Sequence, residues 1–117
     1  MSRDLFWRAV AEYSEASHDG WLSLMRFIDG RNEYSLAIFA WELEEVTDDL
    51  RQRYVSAVAP DERLSQNELE VAVENACLLG KAVFDGVMTS PDLLSRYVDG
   101  ALGGVFAEEW AAYWEES

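Results

Sequence analysis

Apolar residues recur every three or four positions along most of this chain, the spacing that lines one face of an α-helix. Phe6, Val10, Tyr13 and Ala16 form the first such stripe, with Ser2 placed to cap its helix and Ser17-His18-Asp19-Gly20 reading as its stop. A second apolar segment runs from Trp21 to Ile28 and ends at the turn signal Asp29-Gly30. Its pattern has two readings. Trp21, Ser23, Met25 and Phe27 also alternate, and with residues 34–43 they would make a small β-hairpin across Asp29-Gly30-Arg31-Asn32. Helical patterns on both sides favour helix.

The next stripe decides the class. Leu36, Phe39, Leu43, Val46, Leu50 and Ala57 wrap one helical face, with Ser35 as cap, and the pattern runs until Pro60. Thr47 offers a cap for a break near Thr47-Asp48-Asp49. After Pro60, Ser65 followed by Glu68 is a capping box, and Leu64 with Leu69 can close a hydrophobic staple around it. Leu69, Val73, Ala76, Leu79, Val83 and Val87 then give a long stripe, on which small Ala76 and Gly80 would let a neighbour approach closely. Thr89-Ser90-Pro91-Asp92 starts another helix with proline in its first turn. Leu93, Leu94, Tyr97 and Val98 form its buried face and Gly100 its stop. Beyond Gly103-Gly104 a last helix carries Phe106, Trp110, Tyr113 and Trp114 among Glu108, Glu109, Glu115 and Glu116. The expected architecture is all-α: one compact domain over 1–117, a bundle of five or six helices.

Charge changes the picture. Twenty-three Asp and Glu stand against nine Lys and Arg, a net charge of −14 on 117 residues. Residues 1–59 carry 11 acids and six bases, residues 60–117 carry 12 and three, so the field strengthens toward the C-terminal half. Half of the residues are hydrophobic and five are Trp, too many for an acidic disordered tail. A chain of this length buries roughly two-thirds of its unfolded surface and needs no disulfide or metal to hold a core. Such a coat repels itself, so it calls for a reason: solubility, steering or a basic partner. It also disfavours anionic membranes and direct binding of DNA or RNA. Neither a signal peptide nor an apolar run of about 20 residues is present, and the expected location is the cytoplasm.

The inventory for catalysis is thin. Cys77 lies among Ala76, Leu78 and Leu79 and reads as a small buried hydrophobe. His18, the single histidine, sits beside Asp19 in a turn with no nucleophile elbow in the sequence. One Cys and one His cannot make a zinc site, no twelve-residue calcium loop appears, and the single Glu-x-x-His pair, Glu15 with His18, is one short of the two that a bundle di-iron site uses. A phosphate-cradling glycine loop is missing too. The expectation is a non-enzymatic protein with no cofactor and no metal.

Acidic arrays remain as candidate chemistry. Glu42, Glu45 and Asp49 fall at helical spacing on one expected solvent face, and Glu44 with Asp48 on an adjacent stripe. Glu70 and Glu74 repeat the pattern on the capped helix, and Glu108, Glu109, Glu115 and Glu116 on the last. Side chains three or four apart on a helix stand about 5–6 Å apart at Cβ, a spacing of the order of successive phosphates. Stacked carboxylates can therefore imitate a nucleic-acid backbone to a basic groove. Trp7, Trp21, Trp41 and Trp110 are expected in the core. The Trp110-Tyr113-Trp114 patch, rimmed by carboxylates, is the second candidate interface after the acidic faces: Trp114 packs into the core on the first reading and anchors a partner on the second, since Trp and Tyr dominate binding hot spots.

In size, charge and lack of catalytic residues the whole chain resembles the small acidic phage-borne inhibitors, the anti-CRISPR proteins and DNA-mimic antirestriction proteins. That resemblance implies a stoichiometric inhibitor that occupies the basic nucleic-acid-binding surface of a bacterial defence protein. Two alternatives stand beside it: an immunity-type protein neutralising a basic toxin nuclease, which shares its physics, and a helical scaffold or adaptor whose charge only confers solubility. In each active case the partner is a basic protein, not nucleic acid and not a membrane, and self-association into a homo-oligomer stays open.

Overall fold

A computed structural model describes residues 3–15, 19–30 and 34–98, together with Ala112 and Glu115. Between residues 3 and 98 the described residues form five α-helices: α1 (Asp4–Glu15), α2 (Gly20–Asp29), α3 (Leu36–Ala57), α4 (Gln66–Leu78) and α5 (Lys81–Thr89). A 3₁₀ turn at Pro60–Glu62 links α3 to α4, and a 3₁₀ segment at Pro91–Tyr97 follows α5. The fold is all-helical, and no strand occurs among the described residues. Residues 21–28 are helical within α2, so the hairpin reading is corrected. Asp19 is the reason: it caps α2 by accepting from the Leu22 N–H at 3.1 Å, starting a helix where the sequence reading placed only a stop. The next residue, Gly20, allows the two helices to meet, because a Cβ there would lie 2.5 Å from the Tyr13 carbonyl oxygen.

The longest helix, α3, organises the rest. Ser35 caps it, accepting from the Ile38 N–H at 3.2 Å. It does not break at Thr47, whose buried hydroxyl donates back to the Glu44 carbonyl at 2.9 Å. Phe39, Val46, Leu50 and Tyr54 are buried along one side, whereas Ala57 is exposed and Tyr54 takes its expected place. Contacts run from α3 to α1, α4, α5 and the 3₁₀ segment, while α1 packs mainly on α2. Phe6 stacks on Phe39 at 5.2 Å, and Trp7 meets Phe84 at 5.3 Å, tying α1 to α3 and α5. Each fully buried Phe, Leu or Val contributes about 1.5–3 kcal/mol.

Polar groups turned inward close the gaps between helices. Arg63 donates to the Val58 and Val55 carbonyls at 2.9 and 2.6 Å, capping the C-terminal end of α3 with a cation. Arg53 reaches the Met88 carbonyl at 2.9 Å, and the Tyr54 hydroxyl accepts from the Leu64 N–H at 3.0 Å. Buried Asn75 donates to the Tyr97 carbonyl at 2.7 Å, which with buried Pro91 and Leu94 holds a 3₁₀ run longer than the usual three or four residues.

The capping box forms as expected, with Ser65 and Glu68 bonding each other's backbone N–H. The stripe beyond it does not stay on one helix. It divides at Leu79-Gly80, where Gly80 adopts φ +114 and ψ 172, and α5 leaves in a new direction. Gly80 is therefore a hinge of backbone conformation, not a site of close approach: among the described residues nothing lies within 4 Å of where its Cβ would be. Cys77 is fully buried, as its neighbours suggested. Burial, then the charge of Glu74, pushes its thiol up to about 12, with Arg51 opposing. No helix among the described residues is long and apolar enough to cross a membrane. The expected roles of Ser2, Ala16, His18, Gly100 and the last helix lie outside the described residues.

Candidate docking face on helix α3

Helical geometry divides the acids of α3 into two groups. Phe39, Glu42, Val46 and Leu50 share the inward stripe, so Glu42 is buried, with only 6% of its surface exposed. Its expected place on a solvent face with Glu45 and Asp49 is thereby corrected. Glu42 lies near the buried Tyr34 hydroxyl, which has no hydrogen-bond partner of good geometry among the described residues. Burial, and then the negative charge of Glu42, raises the Tyr34 pKa far above its ordinary value. Glu45 and Asp49 flank α1 and meet Arg3 at 3.8 and 3.6 Å. The first triplet is thus one buried carboxylate and two loosely paired ones.

The second stripe faces water. Trp41, Glu44, Glu45, Asp48 and Arg51 line a cleft of about 440 Å³. Ten residues separate its ends, about 15 Å along the helix axis. Trp41 was expected in the core, yet it is 60% exposed. The cause is angular: it follows Phe39 by two residues, about 200° around the helix, and so points away from the buried side. Sequence reasoning missed both Trp41 and Arg51 as members of this face. The angle from Phe39 was the available signal for Trp41.

Arg51 closes one end of the stripe. Its guanidinium makes two parallel bonds to Glu70 on α4, Nε to Oε1 at 3.0 Å and Nη2 to Oε2 at 2.8 Å. Nη1 also donates to Asp48 at 3.1 Å. The hydrogen bond to Glu70 leads the effects that raise the Arg51 pKa, so this clamp stays charged. Gln52 donates to the other Asp48 oxygen at 2.8 Å, and Gln66 to Glu70 at 3.1 Å. Asp48 and Glu70 are therefore committed to the α3–α4 junction. Glu74, one turn beyond Glu70, is half-buried, and burial raises its pKa, helped by the charge of Glu70 and opposed by Arg51.

Glu44 differs from all of these. Its carboxylate has no ion-pair or hydrogen-bond partner among the described residues, and it stands one turn from the open indole of Trp41. The structure thus brings together Glu44, Glu45 and Asp48 beside Trp41, joins Glu70 to them through Arg51, and separates Glu42. Glu108, Glu109, Trp110, Tyr113 and Trp114 lie outside the described residues. Among the described residues no three His, Cys, Asp or Glu side chains gather to hold a metal ion. No protein-family model, no curated protein and no solved structure matches the chain.

Proposed function

We propose that this chain is a non-enzymatic binding protein that docks the Trp41–Asp48 stripe of α3 on a basic, nucleic-acid-binding surface of a partner and blocks it. The partner class is a nucleic-acid-handling protein, such as a nuclease of a bacterial defence system. One observation carries the reading: a 60% exposed Trp stands in a cleft whose other walls are three carboxylates and one Arg. An indole left in water is unfavourable for the free protein and is a typical central anchor of an interface. The carboxylates around it supply long-range attraction to cations, which raises association rates more than it tightens the final complex. Arg53 and Arg63 turn onto backbone carbonyls instead, and Arg51, at the end of the cleft, is held by Asp48 and Glu70. They stabilise the scaffold and leave the cleft negative.

The test is displacement of nucleic acid from purified candidate nucleases at two salt concentrations. The chain should compete labelled DNA or RNA off its partner, and association should slow as salt rises. Joint reversal of Glu44, Glu45 and Asp48 to Lys should weaken inhibition at least about tenfold, and Trp41→Ala should speed dissociation with little salt dependence. A partner that binds the chain while keeping its nucleic acid, indifferent to all four changes, would refute the proposal.

A further inference from the structure

Resting on that reading, we infer that the Trp41–Glu44 end of the cleft takes an arginine side chain presented by an extended segment of the partner protein. The charges along the stripe locate it. At the far end Arg51 already occupies Asp48 and Glu70, and on the flank Arg3 approaches Glu45 and Asp49 at 3.8 and 3.6 Å. Of the carboxylates lining the cleft, Glu44 alone has no ion-pair partner among the described residues, and it stands one turn from the open indole of Trp41. A planar guanidinium can lie flat on an indole and still direct its forked N–H groups to a neighbouring carboxylate. A lysine ammonium has no plane to stack and no fork to pair, so the site favours arginine over lysine at equal charge.

The protein's own arginines show both halves of this geometry. Arg51 bridges two carboxylates on the same stripe, with a parallel pair of bonds to Glu70. Arg8 holds its guanidinium 5.7 Å from the centre of the Phe27 ring. The Trp41–Glu44 turn offers the two contacts together to an outside group. The cleft's length of about 15 Å matches four to five residues of extended chain at about 3.3 Å each. A short basic segment is therefore the fitting occupant, its arginine on Trp41 and its following residues running toward Asp48.

The probes are a capped peptide of alternating arginine and glycine and its lysine counterpart, titrated into the full chain while the Trp41 indole N–H is followed by NMR. The arginine peptide should bind about two- to fivefold more tightly and shift that signal. Trp41→Ala, confirmed as folded by circular dichroism and titrated by isothermal calorimetry alongside the parent, should make the two peptides equal. Glu44→Gln should weaken both, and Glu62→Gln, on the remote 3₁₀ turn, should weaken neither. Equal affinity for the two peptides, or a preference that survives Trp41→Ala, overturns the arginine site. If that equal binding still depends on salt and on Glu44, the acidic docking face stands without it. If Glu44→Gln acts no differently from Glu62→Gln, the docking face itself is rejected.

Discussion

Replacing Gly80 by Ala should destabilise the protein, whereas the same change at Gly86 should stabilise it. Gly80 sits at φ +114 and ψ 172, a region occupied almost only by glycine, and an L-residue held there costs about 1–3 kcal/mol. No steric clash contributes, because the space around a Cβ at Gly80 is open. The lost freedom of the unfolded chain offsets about 0.4–1 kcal/mol, leaving a net loss of about 1–2 kcal/mol. With an unfolding entropy of about 2.1 cal/mol/K per residue, each kcal/mol lowers the midpoint of this 117-residue chain by about 4 °C. The expected shift is therefore about −4 to −8 °C. Gly86 lies inside α5, exposed and with the same open space, so Ala there should add about 0.5–1 kcal/mol through helix propensity. Thermal and urea unfolding followed by circular dichroism measure both. If residues 66–89 formed one continuous helix, both substitutions would stabilise. A rise in midpoint for Gly80→Ala would therefore refute the division between α4 and α5.

Ser65→Ala should cost about 1 kcal/mol by removing the acceptor for the Glu68 N–H, and an unchanged urea midpoint would show that α4 does not begin there. Glu74 has a raised folded pKa, so its contribution is most favourable at acid pH and is lost as pH rises through the carboxylate range. Glu74→Gln should accordingly unfold at a higher temperature than the parent at neutral pH and at the same temperature near about pH 3; equal midpoints at neutral pH would contradict this. Tyr34 also has a raised folded pKa, so its contribution is intact below about pH 10 and falls above it. Between about pH 9 and about pH 11 the parent should lose more stability in urea titrations than Tyr34→Phe does, and parallel losses would mean that Tyr34 ionises like an exposed tyrosine.

The helices were legible wherever a side chain declared a boundary. Ser35 and Ser65 bond backbone N–H groups three residues on, a local arrangement that the sequence spacing contains in full. Asp19 acts in the same way but sits next to Gly20, and the pair reads equally as an ending. The division at Gly80 was hidden because the apolar spacing of three and four continues across it: Val73, Ala76, Val83 and Val87 fit one helix on paper. Periodicity counts residues and is blind to one backbone angle changing sign. For the site, the acids of α3 were found, but their grouping was not. Glu42 carries a charge, so its place three residues after Phe39 on the apolar stripe was discounted, and Trp41 was assigned by residue type instead of by angle. Arg51 acts across a junction with α4, a pairing of residues 19 apart that no local pattern announces.

Cys77 makes this protein its own stopwatch. The chain has one sulfhydryl, it is wholly enclosed on α4, and its thiolate is held back by a pKa pushed up to about 12. A thiol reagent in solution can react only in the moments when the packing around α4 opens. Where reclosing outruns labelling, the rate of colour development counts the open fraction directly. Every substitution discussed above can thus be ranked without denaturant, at the pH and salt where docking is measured. Loss of affinity can then be told apart from loss of fold in the same tube.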